Sequence, residues 1–301
     1  MRVLIATGGP GQTEIGIRQL IVLAETMPLT PTVLTVIKHA EEQAEADQIL
    51  AHAAQLLEPA LTNVNYITRV GQPWEEIVQE AESGRYDLLM MGQRQSRPLL
   101  TRIRGLVTQK VVAHTSLPVL IAKREARPLQ RALICDSGVQ SPSLLQLVRT
   151  RLPALLAGVS EVTVLHVMSQ ISAAPGVKGS DLRATAEELI RLQTPEGAIL
   201  EQDLADLKAM NVMPRAKVRH GLVVDEIAKE ARSDEYDLVV IGAHRDEGLP
   251  RFLLDDLAHE LVLDVEKPQI TQITQIFLLN LCNLRNLWFV PLTWPARWPR
   301  R

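Results

Sequence analysis

Between Leu88 and Arg124 the chain carries no acidic residue, yet Arg94, Arg97, Arg102, Arg104, Lys110, Lys123 and Arg124 all fall there. Gly92 and Gly105 stand inside the same stretch. Arginine offers a fork of N–H donors that matches phosphate and carboxylate, and glycine lets backbone N–H groups close on an anion. The stretch therefore reads as a binder of nucleotide, RNA or an acidic partner, or as a solvated basic loop, or as a patch facing acids of the same molecule. Gly8-Gly9-Pro10-Gly11 follows a short apolar run. It can cradle phosphate, but the spacing is not G-x-G-x-x-G and no P-loop lysine follows, which favours a plain strand-to-helix turn. Asp136, before Ser137 and Gly138, suits either a contact to an adenine amine or, with Ser137, a helix N-cap. His166 reads as a packed histidine, His244 beside Gly242 as a loop histidine, and Cys135 as a small buried hydrophobe. G-x-S-x-G, H-E-x-x-H and C-x-x-C patterns are missing, so no dedicated enzyme is indicated. A slow nucleotide hydrolase using the first half is the alternative.

These residues sit on a duplicated framework. Moved forward by 150 positions, Arg69 to Pro118 lands on Arg219 to Pro268 without a gap. Arg69-x-Gly71 falls on Arg219-x-Gly221, Glu76 on Glu226, Glu80 on Glu230, Tyr86-Asp87-Leu88 on Tyr236-Asp237-Leu238, and Gly92 on Gly242. A repeat of this length is a domain duplicated in tandem. Short apolar runs alternate with helical patterns in each copy, which predicts a parallel sheet with helices on both faces. In the first copy the strands are expected at Val3–Ala6, Thr32–Ile37, Asn63–Val70, Leu88–Met91 and Pro118–Ala122. In the second they are expected at Ala132–Cys135, Val162–Val167, Ala216–Arg219, Leu238–Ile241 and Gln269–Ile273. The units are then 1–124, a linker 125–131, 132–276, and a tail 277–301.

The 301 residues suffice for two such units, and 46% apolar residues for two cores. A net charge of −3 argues against nucleic-acid binding by bulk charge. Two distant cysteines suit a reducing cytoplasm. The first residues run straight into a strand pattern without the features of a signal peptide, and no long apolar stretch predicts a membrane span.

A first strand ending in Asp136-Ser137-Gly138, a Tyr-Asp-Leu lead into an apolar fourth strand, and a glycine at that strand's end resemble the universal stress protein family in tandem form. The resemblance covers roughly Met1 to Pro268. It implies two Rossmann-like domains, each a five-stranded parallel sheet of order 3-2-1-4-5, often dimerising through the last strand. This chain then forms a homodimer or an internal pseudo-dimer. It also implies a cytoplasmic regulatory role in stress response, exercised through surfaces that meet a protein partner.

Family members that bind ATP carry glycine, two residues, glycine, nine residues, glycine, then serine or threonine after strand four, and an aspartate ending strand one. Here Gln95 and Leu106 replace the second glycine and the hydroxyl in the first copy, and Thr7 replaces the aspartate. In the second copy Arg245, Asp255 and Asp256 replace two glycines and the hydroxyl. ATP binding is thus expected to be weak or absent. The residues carried over are Gly92, Arg94, Arg104, Gly105, Gly8 and Gly9 in the first copy, and Asp136 and Gly242 in the second. No metal ligands are indicated.

The tail differs in composition. Thr271-Gln272-Ile273 repeats as Thr274-Gln275-Ile276, and Trp288, Trp294 and Trp298 stand among Arg297, Arg300 and Arg301. One reading is a membrane-surface or partner segment. The favoured one is an extension the fold does not need, as from translation in another frame.

Overall fold

The computed structural model describes residues 1–9, 12–92, 101–122, 126–136, 142–168, 184–233, 236–243 and 275–280. In the first half, strands β1 (Arg2–Thr7), β2 (Thr30–Ile37), β3 (Asn65–Val70), β4 (Leu88–Gly92) and β5 (Val119–Ala122) alternate with helices α1 (Gln12–Thr26), α2 (Gln43–Leu57), α3 (Pro73–Ala81) and α4 (Thr101–His114). The central strands read Val-Leu-Ile-Ala and Leu-Leu-Met-Met because both faces of the sheet are covered. β3 starts two residues later than expected: Asn63 takes a left-handed φ of 62°, which ends extended pairing there.

The second half repeats the plan with β6 (Arg131–Asp136), α5 (Leu144–Arg151), α6 (Pro153–Leu156), β7 (Glu161–Met168), α7 (Ala186–Arg191), α8 (Pro195–Ala209), β8 (Met213–His220), α9 (Val223–Ala231) and β9 (Leu238–Ala243). β8 is twice the expected length. Its alternate residues Arg215, Lys217 and Arg219 hid its ends from an apolar-run reading, as basic residues on an edge strand do.

β10 forms at Gln275–Asn280, across the boundary drawn between 276 and 277, whereas Gln269–Ile273 lies outside the described residues. Ile276-Phe277-Leu278-Leu279 is a continuous apolar run, suited to a strand with neighbours on both sides. The Thr-Gln-Ile repeat offered two registers, and only the second runs into that segment.

Among the described residues ten strands join one sheet in the order β3-β2-β1-β4-β5-β10-β9-β6-β7-β8. Each half has the 3-2-1-4-5 order, parallel throughout. The halves meet where β10 runs antiparallel to β5, with Ile276 opposite Ile121. Edge-to-edge joining was expected, though with another segment. One apolar layer takes in α1 and α2 with α5, α7 and α8; the other takes in α3, α4 and α9. The linker is tied to both halves. Buried Gln19 donates to the Arg127 carbonyl at 3.1 Å and accepts the Arg127 N–H at 3.2 Å, while the Arg127 guanidinium pairs with Asp237 at 3.1 Å. Among the described residues no helix is long and apolar enough to cross a membrane.

Candidate functional site

In a doubly wound sheet the ligand crevice opens beyond the strand C-termini, where the strand order reverses. Here that point lies between β1 and β4, and again between β6 and β9. Ala6 pairs with Met91 in the first half and Cys135 with Ile241 in the second. Thr7 therefore neighbours Gly92, and Asp136 neighbours Gly242, at matching places.

In the first crevice Gly8 and Gly9 follow β1 directly, and Gly92 ends β4. Gly9 has φ +105° and its carbonyl accepts the Thr13 N–H and the Thr13 Oγ–H, at 3.3 and 2.7 Å. These bonds fix it as the turn into α1. Thr7 donates its hydroxyl to the Leu34 carbonyl at 3.2 Å. Gly105 lies within α4. Arg94, Gln95 and the Arg104 side chain lie outside the described residues, so only Gly8, Gly9 and Gly92 are seen together. α1 closes over the end of β4: a Cβ on Gly16 would stand 3.3 Å from the Gly92 nitrogen and 3.3 Å from Ile5 Cδ1. Gly92 is held in the sheet opposite Ala122 and has little room to yield. Gly16→Val is expected to destabilise the protein by roughly 2–3 kcal/mol through overpacking, read as a lowered melting temperature.

In the second crevice Asp136 is buried, and its Oδ2 accepts the backbone N–H of Leu144 at 2.6 Å. The carboxylate is thus committed to the first turn of α5. Ser137 lies outside the described residues; the N-cap of α5 is Ser143, which forms a capping box with Gln146. Leu144 packs over Gly242, 3.6 Å from where a Cβ would stand. His166 is buried with Nδ1 3.4 Å from the Asp136 carbonyl, and burial holds its imidazole below the ordinary value, hence neutral at pH 7. Burial pushes the Cys135 thiol far up, which makes it inert. His244 lies outside the described residues.

The strongly repeated polar residues do other work. Buried Glu80 accepts from Arg69 Nε at 3.0 Å, Tyr86 Oη at 2.7 Å and Arg85 Nη2 at 2.6 Å. Buried Glu230 accepts from Arg219 Nε at 2.6 Å, Tyr236 Oη at 2.6 Å and Lys217 Nζ at 2.7 Å. Arg69 and Arg219 also reach Glu76 and Glu226. The glycine of each Arg-x-Gly has a positive φ, +155° at Gly71 and +151° at Gly221; a Cβ at Gly71 would strike Glu76 at 2.7 Å, and one at Gly221 would crowd Glu226 at 3.2 Å. Each cluster locks α3 or α9 to its edge strand. Asp87 accepts the Arg2 N–H at 2.8 Å, and Asp237 the Arg131 N–H at 2.9 Å, so each clasps the start of a first strand. That clasp lies at the end of the sheet away from the crevice.

Sequence reasoning missed one group. Asp203 on α8 is fully buried, with Oδ1 accepting the Ser143 Oγ–H at 2.6 Å. Comparison of the copies would have found it, because Asp203 falls on Ala53. Among the described residues no three His, Cys, Asp or Glu side chains group as metal ligands.

The geometry defines a tandem of doubly wound α/β units, each with a crevice at its switch point. A family model described as "Universal stress protein family" matches residues 1–123 and again 138–270. The chain belongs to the universal stress protein family, with two copies of its domain in tandem. A universal stress protein of Methanocaldococcus jannaschii is 35% identical over 81 residues, which are 27% of this chain and 50% of that protein. The chain thus spans half the length of that relative. A universal stress protein from Archaeoglobus fulgidus has a solved structure with a TM-score of 0.65 at 17% identity, covering 92% of this chain and 95% of that one. A functionally unknown protein from Pseudomonas aeruginosa follows at 0.61 and 13%, covering 92% of each. At such identities the likeness is one of fold.

Proposed function

We propose that this is a cytoplasmic regulatory protein of the stress response that binds ATP weakly or not at all and acts through its surfaces on a protein partner, without binding nucleic acid. One observation carries the reading. At the end of the first strand, where an acid would meet the base, the first half has Thr7, bonded to the Leu34 carbonyl, and the second has Asp136, committed to the Leu144 N–H. Neither half has the full glycine set, and Asp255 and Asp256 would repel phosphates in the second. Residual anion binding belongs to the first half, through Gly8, Gly9, Gly92, Arg94, Arg104 and Gly105. Asp136 and Gly242 contribute little beyond structure. We assign the units as 1–124 and 132 to the end of β10, with the segment after Asn280 dispensable.

Calorimetric titration with ATP tests this. Each lost charge-assisted contact is worth about 1.5–3 kcal/mol, which moves a micromolar site towards the millimolar range. The expected result is weak binding that Arg104→Glu abolishes and Asp255→Gly leaves unchanged. Sub-micromolar binding that survives Arg104→Glu would overturn the reading.

A further inference from the structure

α2 and α8 are the same helix in the two copies. At a spacing of 150, Leu57 matches Leu207 and Ala53 matches Asp203, and all four are fully buried. The first half demonstrates that the fold asks only for a methyl group at this position. The second half places a carboxylate there and satisfies only part of it. Oδ1 accepts the Ser143 Oγ–H, whereas Oδ2 is buried with no partner. A carboxylate in that state is costly to keep ionised, and a fold that can do without it gains nothing in stability from it.

The surroundings indicate its use. Ser143 caps α5 by accepting the Gln146 N–H at 3.2 Å, and the next residue, Leu144, donates its N–H to Asp136. Two acids from two elements thus converge on one helical turn. The charged groups facing Asp203 are Asp136 at the end of β6, Arg149 on α5, and Asp206 one turn along α8 itself. Arg149 is engaged by Asp206 at 3.0 Å, which leaves its charge shared. β7 brings His166, held neutral by burial beside Asp136, and β8 brings His220, whose Nε2 lies 3.0 Å from the Ala184 carbonyl.

We propose that Asp203 is a proton-controlled release of the second crevice: ionised, its charge stands against Asp136 and loosens the first turn of α5; neutral, it leaves that turn seated between α8 and the end of β6. Burial, the dominant influence, pushes its carboxyl up to about 7, so the release works near neutral pH. The turn it controls carries Leu144, which packs against Gly242. Acidification therefore tightens this crevice and alkalinisation relaxes it. The first half, with Ala53, has no such response.

The test is amide hydrogen exchange on the whole chain, read at Leu144, Gln146 and Leu147 and normalised to intrinsic exchange. Protection in the unmodified protein is expected to fall roughly tenfold between about pH 5.5 and about pH 8.5, the scale of local opening. Asp203→Asn, and separately Asp203→Ala, which copies the first half, are expected to keep high protection throughout. Asp206→Asn is expected to retain the pH dependence. Normalised protection that does not change with pH in the unmodified protein, or that falls equally in both Asp203 variants, would overturn the proposal.

Discussion

Glu230→Ala is expected to lower the stability of the second half by about 3–5 kcal/mol, the scale for removing one partner from a buried ionic cluster. Glu230 is fully buried and receives Arg219, Lys217 and Tyr236 together. Its loss removes the acceptor that the buried Tyr236 hydroxyl and both cations share, leaving Arg219 its weaker contact with Glu226. Both cations are partly exposed and regain some hydration, which places the effect near the lower end of that range. A loss of about 3 kcal/mol corresponds to roughly 6–12 °C in melting temperature. Glu80→Ala should act alike in the first half, where Arg85 supplies the second cation in place of Lys217. The pH dependence has a definite sign. Burial opposes ionisation of Glu230, but hydrogen bonds from Lys217, Tyr236 and Arg219 outweigh it and hold the carboxyl below the ordinary range. Glu80 is held low in the same way, burial being outweighed by Tyr86 and Arg69. The stabilisation is complete above the unfolded value and disappears as pH falls through the folded one. Thermal melts of the parent should therefore steepen their decline below about pH 4.5, and the double alanine variant should lose that part of the decline. A variant within 1 °C of the parent at pH 7 would show that the clusters are ornamental.

Ending the chain after Thr274 should cost more than ending it after Asn280. The first cut removes β10 and bares the edges of β5 and β9, two apolar strands that it joins. An uncovered apolar edge pairs with the next available chain, so aggregation or a melting temperature lower by roughly 10 °C or more is expected. The second cut spares every described strand of the sheet and should leave the melting temperature within about 4 °C. Equal stability of the two truncations would show that β10 contributes nothing to the joint.

The sheet was legible because its strands are buried on both faces and are therefore written as uninterrupted apolar runs. Leu88–Met91 and Leu238–Ile241 could hardly be anything else. β10 was not legible, because Thr271-Gln272-Ile273 and Thr274-Gln275-Ile276 are locally alike, and only pairing with β5 and β9 marks the segment from Gln275 as a strand. Arg69, Glu80, Tyr86 and Asp87 were visible as repeats, but their roles depend on where α3 and the start of β1 pass in space. Asp203 was hidden by convention: an acid in an Ala-, Glu- and Leu-rich helix reads as solvent-facing, and only the copy with Ala53 reveals the position as core. At the crevices, the missing glycines were readable, whereas the commitment of Asp136 to Leu144 required the fold.

The antiparallel seam between β5 and β10 gives the molecule two opposed heads. Within each half the strands run one way, so the carboxyl ends of one half open at the margin where the amino ends of the other begin. The two switch points thus lie at the carboxyl ends of strand sets whose adjoining members run opposite ways across the seam, and Thr7 with Gly92 and Asp136 with Gly242 mark two separate mouths rather than one shared cleft.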